Sequence, residues 1–517
     1  MKIPVIKPGN IPPDQVSPES LKGIPRQQTK PSRWSGKGWD EFARAVIDQG
    51  ISLKEDRSTC SLYSSDSGGM AYSMPHGVVV AQSTEQVAAI MKEAQKYRIP
   101  VKVRGGSLTT EGETVPFGGL QLDMTGMSRV ISIDQDNMTV RTQAGIYWHT
   151  LAEVLRRDGY DYLSAPLNMT STVGGTLSVG GIDINSPRLG CSADQAVELK
   201  VVTPRGEIVE CSENLNPDIF DRNLLGYGQF GIITEATLRI RKFTPITMHY
   251  FYYNSLASAI SDMMMLARHD ASDYIGILTI MDKAVNLLVA FDSEEREETF
   301  FAEWRDKIKG YGERGFGVKM AIHYALRPWR IKEALYLLGR KRSLMPEFNP
   351  DHHMDGKKIV DRTVVFSKAV WKFWGGRQMV IPDLATTEEK FIEAVERGNA
   401  VCKKYFSHYT LYCVGIKLLG NKKRYEMSCI PPDAEDIAYG CEFEPMLGDR
   451  YYSHDYLQSY KNEIYDIGVD IKSSYYRFGG MMKGYIRRVF GDEIVDRQLA
   501  LKREEDPAMI LNSDVVF

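Results

Sequence analysis

The sequence predicts an α+β fold built in more than one part, and three observations predict it. A strand, a helix, a second strand and a glycine exit follow one another between residues 76 and 107. Two more glycine segments lie downstream, at 171–181 and 226–231, the last running straight into a long strand. Beyond Thr244-Pro245 the character changes to mixed helices and strands dense in aromatics. A chain of 517 residues exceeds one simple core, so two or three domains are expected.

The elements follow in order. Residues 1 to about 35 are rich in proline and polar residues and read as an extended arm, laid over the body or over a neighbouring copy. "GWDEFARAVIDQG" (38–50) is an amphipathic helix closed by Gly50. "HGVVVAQ" (76–82) is a short buried strand. In residues 83–100 apolar positions recur at helical spacing, Ser83 or Thr84 stands at the cap and Pro100 lies just beyond. "VKVRGGS" is the next strand with its glycine exit, which completes an α/β unit. "GLQLDM", "RVISID" and "MTVRTQAG" are strands, and "YWHTLAEVLRRDGY" (147–160) is a helix. "VELKVVTPRGEIVECS" (197–212) is a hairpin about Pro204-Arg205-Gly206. In 246–474 the strands "YIGILTIM" and "AVNLLVAF" accompany a helix over 385–406.

Composition narrows the function classes. Hydrophobic content of 43%, charged content of 25% and a net charge of −3 are ordinary for a globular protein and give no global field toward nucleic acid. The basic runs Arg340-Lys341-Arg342 and Lys422-Lys423-Arg424 read as solvated faces. Seven cysteines, an odd number without a CxxC pair, suggest neither a zinc knuckle nor a disulfide framework, and a reducing, cytoplasmic setting is expected. The first twenty residues hold no long apolar run and no cleavage pattern, so no cleavable leader is expected, and with no run of about 18 apolar residues no membrane span is expected. His352-His353 lacks a third ligand at metal spacing, so no metal site is expected.

The glycine segments carry the chemistry. In "STVGGTLSVGG" two glycine pairs stand six residues apart, and "GYGQFGIIT" follows about fifty residues later. Glycine lacks the Cβ that would hold a backbone away from a flat, phosphate-bearing molecule. Each cluster is a weak signal by itself; in this order, with "VRGGSL" before them, they point to a cofactor cradle. "VRGGSL" lacks the G-x-G-x-x-G spacing of a Rossmann dinucleotide site.

"PHGVVVAQSTEQVAAIMKEAQKYRIPVKVRGGS" resembles the first half of the flavin domain of the vanillyl-alcohol oxidase / p-cresol methylhydroxylase family. "STVGGTLSVGG", "VELKVVTPRGEIVECS", "FDRNLLGYGQFGIITEATLRI" and the terminal "DPAMILNSDVVF" are similar to the cytokinin-dehydrogenase-like branch. The likeness covers 60–245 and, less fully, 475–517. It implies a two-part FAD-binding domain, 36–245 and 475–517, with an inserted α+β substrate (cap) domain, 246–474. Cofactor contacts carried over by motif are Val103, Arg104, Gly105, Gly106, Ser107 and Leu108; Val173, Gly174, Gly175, Thr176, Gly180 and Gly181; and Gly231, Ile232 and Ile233.

Departures from the family pattern matter as much. Gly106 stands where most members of the branch place a histidine bonded to the flavin, and Thr170 stands where a second linkage uses cysteine. FAD is therefore expected without either bond; a cap histidine such as His408 is the remaining route to one. Leu167 occupies the position of the branch's aspartate, which takes a proton from the amine substrate. Cytokinin is accordingly rejected as the leading substrate.

The resemblance implies a hydride moving from a substrate C–H to flavin N5, with reoxidation by oxygen or another acceptor. An alcohol, aromatic or phenolic, is the leading class; a sugar or amine, or a flavin-fold binding protein without turnover, are the alternatives. Tyr476 and Arg477 resemble a Tyr-Arg pair that binds phenolate elsewhere in the family, with Tyr475 competing for the role. An arginine beside a tyrosine hydroxyl lowers the pKa of a bound phenol. Asn168 and Asp183 flank the glycine pairs, Asp183 as a base or a turn residue. Trp371, Phe373 and Trp374 form an aromatic cluster that packs as core or lines a pocket. Partners are a small-molecule substrate and, through the arm, another copy of the chain.

Overall fold

A computed structural model describes residues 34–280, 284–310, 358–359, 378–419, 426–445, 447, 452–479, 483–513 and 515–516. The arm up to residue 33, both basic runs, His352-His353 and the Trp371, Phe373 and Trp374 cluster lie outside them.

Three sheets organise the described chain. The first comprises Leu53–Lys54 (β1), Gly77–Val80 (β2), Val101–Arg104 (β3) and Leu120–Asp123 (β4), in the order β1-β2-β4-β3. Strands β2, β4 and β3 run parallel, Gly77 and Val101 both lying opposite Leu120. The connecting helix is Thr84–Tyr97; Ser83 accepts a hydrogen bond from the Gln86 amide, and Arg98 ends it at φ 56°. Its apolar stripe, Val87, Ile90, Met91 and Ala94, packs with Phe42 and Val46 of the helix Trp39–Asp48 on Leu120 and Leu122.

The second sheet is antiparallel. It holds Val130–Asp134 (β5), Thr139–Gln143 (β6), Tyr160–Tyr162 (β7), Ala196–Val202 (β8), Ile208–Ser212 (β9) and Ile232–Lys242 (β10). The order is β5-β6-β10-β8-β9, and β7 pairs with the far end of β10. In β10 an alternation of apolar and polar residues buries Ile233, Ala236, Leu238 and Ile240 against the helix Trp148–Arg157, which contributes Trp148, Leu151 and Leu155.

The third sheet has seven strands: Ile246–Tyr253 (β11), Tyr274–Ile280 (β12), Ala284–Phe291 (β13), Lys358–Ile359 (β14), Asp383–Thr386 (β15), Tyr409–Lys417 (β16) and Ile437–Pro445 (β17). Its order is β14-β11-β13-β12-β16-β17-β15, antiparallel throughout. One face packs on the helices Leu256–Arg268, Glu388–Tyr405 and His454–Ile471. The other buries Tyr274, Leu288, Tyr412 and Val414 against Ile184, and the Ile275 amide donates to the Ile184 carbonyl at 2.6 Å. The sheet is thereby seated on the loop that follows the second glycine segment.

The tail of the chain returns to the first sheet. Val101 donates to the Ile510 carbonyl at 2.8 Å, and Asn512 donates to the Val101 carbonyl at 3.0 Å. At the end of the helix Asp492–Glu505, the Lys502 ammonium reaches the Gln229 carbonyl (2.6 Å), the Leu511 carbonyl (2.8 Å) and the Asp506 carboxylate (2.9 Å). Asp506 also accepts from Gln95 (2.6 Å) and from the Leu511 amide (2.9 Å). Both side chains are fully buried. Burial lowers the Lys502 pKa while Asp506 opposes the shift. Lys502→Met removes the cation and leaves the carboxylate buried beside two carbonyls. A loss of about 3–5 kcal/mol is expected, checked by urea unfolding, with Gln95→Ala as the milder control.

Candidate active site

Four segments meet at one cleft. Strand β3 and its exit supply Val103, Gly105, Thr109, Glu113 and Thr114; the second glycine segment supplies Thr172, Gly174, Gly175, Ser178 and Val179; the third supplies Tyr227, Gly228, Gly231, Ile232 and Ile233; the tail supplies Asn512 and Val515. Met124 and Ala144 complete the lining.

Hydrogen bonds and one close-packed junction join these segments into a ring. The Val103 amide donates to Asn512 Oδ1 at 3.0 Å, and Asn512 Nδ2 donates to the Gly228 carbonyl at 2.8 Å. Leu225 and Tyr227 donate to the Leu177 and Ser178 carbonyls at 3.0 and 2.8 Å, which joins the third segment to the second. The second meets the first by close packing: a Cβ on Gly105 would stand 2.2 Å from Thr172 Oγ1. Ser107, Leu225, Tyr227 and Asn512 all have φ between 48 and 57°. Left-handed backbone at non-glycine residues costs about 1–3 kcal/mol each and persists where the surroundings enforce it. The second segment is a short helix, Val173–Val179, whose cap Thr172 accepts from the Gly175 amide.

The electrostatics are one-sided. Glu113 is the only charged residue among the described lining residues. Burial, and then the carboxylates of Asp66 and Glu111, push its pKa up to about 8. Burial also raises Asp66 to about 6, against the hydrogen bonds it accepts from Thr109 Oγ1 and the Gly112 amide, both 2.9 Å. Glu111 is fully buried and pairs with Lys461, while Tyr465 donates to it at 3.2 Å. The loop bearing Glu113 is thus fastened to the helix His454–Ile471. The Glu111 amide donates to Glu113 Oε2 at 2.8 Å.

Of the residues expected from sequence, Val103, Gly105, Gly174, Gly175, Gly231, Ile232 and Ile233 line the cleft. The Arg104 side chain turns away, donating to the Ser65 carbonyl at 3.0 Å beside the Tyr63 ring. Gly106, Ser107, Leu108, Val173, Thr176, Gly180 and Gly181 stand in the same segments without lining it. Asn168 Oδ1 accepts from the Thr170 amide at 3.1 Å, shaping the turn into the second segment. Asp183 is fully buried at the start of the turn Ser186–Leu189, its amide donating to Ser186 Oγ at 3.0 Å. The Gly181 amide donates to the Tyr476 hydroxyl at 3.1 Å. Arg477 grips Asp383 (2.9 Å) and Glu442 (2.6 Å); burial works against its charge, but these carboxylates raise its pKa well above the ordinary range. Tyr475 is fully buried and donates to the Tyr465 carbonyl at 2.7 Å. His408 sits by Ser407, away from the lining residues.

Residues 75–212 match a family described as FAD binding domain. That stretch is an FAD-binding domain, as the resemblance implies. It is similar to cytokinin dehydrogenase 2 of Arabidopsis thaliana, 33% identical over 190 residues, 36% of this chain and 38% of the relative. D-lactate dehydrogenase of Anaerostipes hadrus is 31% identical over 172 residues, 32% of this chain and 36% of the relative. The chain spans under two fifths of either relative's length. A solved alkyldihydroxyacetonephosphate synthase matches the fold with a TM-score of 0.64 at 15% identity, covering 91% of this chain and 85% of that one. Among the described residues no helix is long and apolar enough to cross a membrane, and no group of three His, Cys, Asp or Glu is placed to hold a metal. All seven cysteines are buried as thiols, outside any disulfide.

The residues present fit FAD. The cleft offers bare glycine backbone from three segments and no lysine or arginine among its described lining residues, so backbone amides and hydroxyls are the donors available to a pyrophosphate. Sequence reasoning missed Thr109, Glu113, Thr114, Thr172, Tyr227 and Asn512. The S-T-V-G run marks Thr172 as a helix cap, a readable signal; the others lie in loops without periodicity. At Gly106 a Cβ would stand 2.7 Å from the Thr170 carbonyl, so the loop has closed over the place of the family histidine. Acid precipitation of the FAD-loaded protein is expected to leave all yellow colour in the supernatant; colour retained in the pellet overturns non-covalent binding.

Proposed function

We propose that this chain is an FAD-dependent oxidoreductase that oxidises a neutral alcohol, of aromatic or phenolic type, with oxygen or another acceptor restoring the cofactor. The observation that carries this reading is the convergence of three glycine segments and the tail on one cleft whose only charged described lining residue is a carboxyl group. Bound there, FAD supplies the acceptor for a hydride. The chain's own residues would hold the cofactor by backbone donors, and Glu113 is offered from the lining of the same cleft.

A neutral substrate is favoured over a 2-hydroxy acid, the class named for the lactate dehydrogenase relative, because a carboxylate calls for a cation at the site. Arg477 is a poor anion receptor here, since Asp383 and Glu442 already match its charge. The Tyr476 hydroxyl, which accepts from the Gly181 amide, does not line the cleft. Amine oxidation lacks the branch's acid, Leu167 standing in its place.

Anaerobic mixing of the FAD-loaded protein with aromatic and aliphatic alcohols, sugars, amines and D-2-hydroxy acids tests this directly. Bleaching of the visible flavin absorbance by aromatic alcohols is expected. Bleaching by hydroxy acids only, or by amines only, sinks the proposal.

A further inference from the structure

We propose that Glu113 is the catalytic base that takes the hydroxyl proton of the substrate. This inference rests on reading the cleft as the site of alcohol oxidation. Oxidation of an alcohol breaks two bonds. Bound FAD would accept the C–H electron pair as hydride and be reduced by it. The O–H proton must go to a base as the carbonyl forms. Loss of that proton raises the electron density that expels the hydride, so a base within reach of the oxygen accelerates the step.

Geometry singles out Glu113. It is the one charged group in the described lining of the cleft. Its loop is pinned on both sides. Thr109 and Thr114, hydroxyl to hydroxyl at 3.0 Å, tie it within itself, and Thr109 is held by Asp66 at 2.9 Å. On the far side Glu111 is paired with Lys461 of the helix His454–Ile471. Glu113 therefore stands where the cofactor cleft meets the segment expected to carry substrate. One carboxyl oxygen is oriented by the Glu111 amide at 2.8 Å, and the residue is half-buried rather than sealed. Thr114 Oγ1 and Ser107 Oγ lie 3.2 Å apart, extending the line of hydroxyls away from Asp66.

The charged groups facing Glu113 are Asp66 and Glu111; Arg104 faces Asp66, and Lys461 neutralises Glu111. Burial and the two acidic neighbours push Glu113 up to about 8. Its conjugate base is thus stronger than an ordinary carboxylate. The ionised fraction, and with it the reduction rate, rises with pH through that value. The same ionisation places a negative charge beside an anionic dinucleotide.

Two measurements on the full chain loaded with FAD decide the matter. In the first, the rate of anaerobic flavin bleaching by the best alcohol is followed from pH 6 to 9.5 in the wild type, Glu113→Gln and Glu113→Asp. The wild-type rate is expected to rise with a midpoint at or above 8, since the bound anion favours the neutral carboxyl further. Glu113→Gln is expected to be about 100-fold slower or more and flat with pH, Glu113→Asp intermediate. In the second, FAD affinity without substrate is read from quenching of flavin fluorescence. Wild-type affinity is expected to weaken about threefold or more as pH rises through 8, and that of Glu113→Gln to stay level. A wild-type rate profile without a rise overturns the proposal whether or not any variant folds. So does a Glu113→Gln rate within about threefold of wild type. If no alcohol bleaches the wild-type flavin, the functional reading falls and takes the base with it. If alcohols bleach both proteins equally, only the assignment of Glu113 falls.

Discussion

The cofactor cleft depends on one buried cation. Lys502 reaches two carbonyls and one carboxylate at the meeting point of the third glycine segment, the tail and the helix Thr84–Tyr97. Its amine is costly to desolvate, and three close acceptors offset that cost. Together with the Leu511 amide on Asp506 and the Asn512 amide on the Val101 carbonyl, these bonds deliver Asn512 to Val103 and Gly228. The left-handed backbone at Tyr227 and Asn512 persists because this clasp holds both sides.

Around it charge is distributed by depth. The positive charges of the neighbourhood are matched away from the cleft: Arg477 by Asp383 and Glu442, Lys461 by Glu111, Lys502 by Asp506. Burial holds Asp383 itself up to about 7, with Arg477 pulling the other way. The cleft is left to neutral donors and one acid. Such an arrangement binds a dinucleotide by geometry more than by net charge, and it makes the protonation of Glu113 felt, because little nearby screens it.

Much of the flavin domain was legible in the residues themselves. Ser83, the apolar period of Val87 to Ala94 and Pro100 announce the first helix, and the β-branched run after Gly231 announces β10. The glycine segments announced the cleft because glycine is selected for close approach, which leaves a mark at single positions. The site's other half was not legible. Lys502 sits in "ALKREED", which reads as an exposed helix end; only the fold shows that its ammonium turns inward. Glu113 lies in a polar loop with no period, and its environment is built by Asp66 and Lys461, far away in sequence. The Tyr476–Arg477 pair was legible as a pair, but the carboxylates that hold Arg477 stand 94 and 35 residues away.

The hydrogen bond between Val103 and Asn512 joins positions 409 residues apart. During synthesis on the ribosome, then, the first sheet and all three glycine segments emerge well before their last wall exists. A nascent chain that has emerged only as far as the third glycine segment lacks the wall that Asn512 and Val515 supply. Cofactor capture becomes a late event, after the segment around Asn512 has emerged.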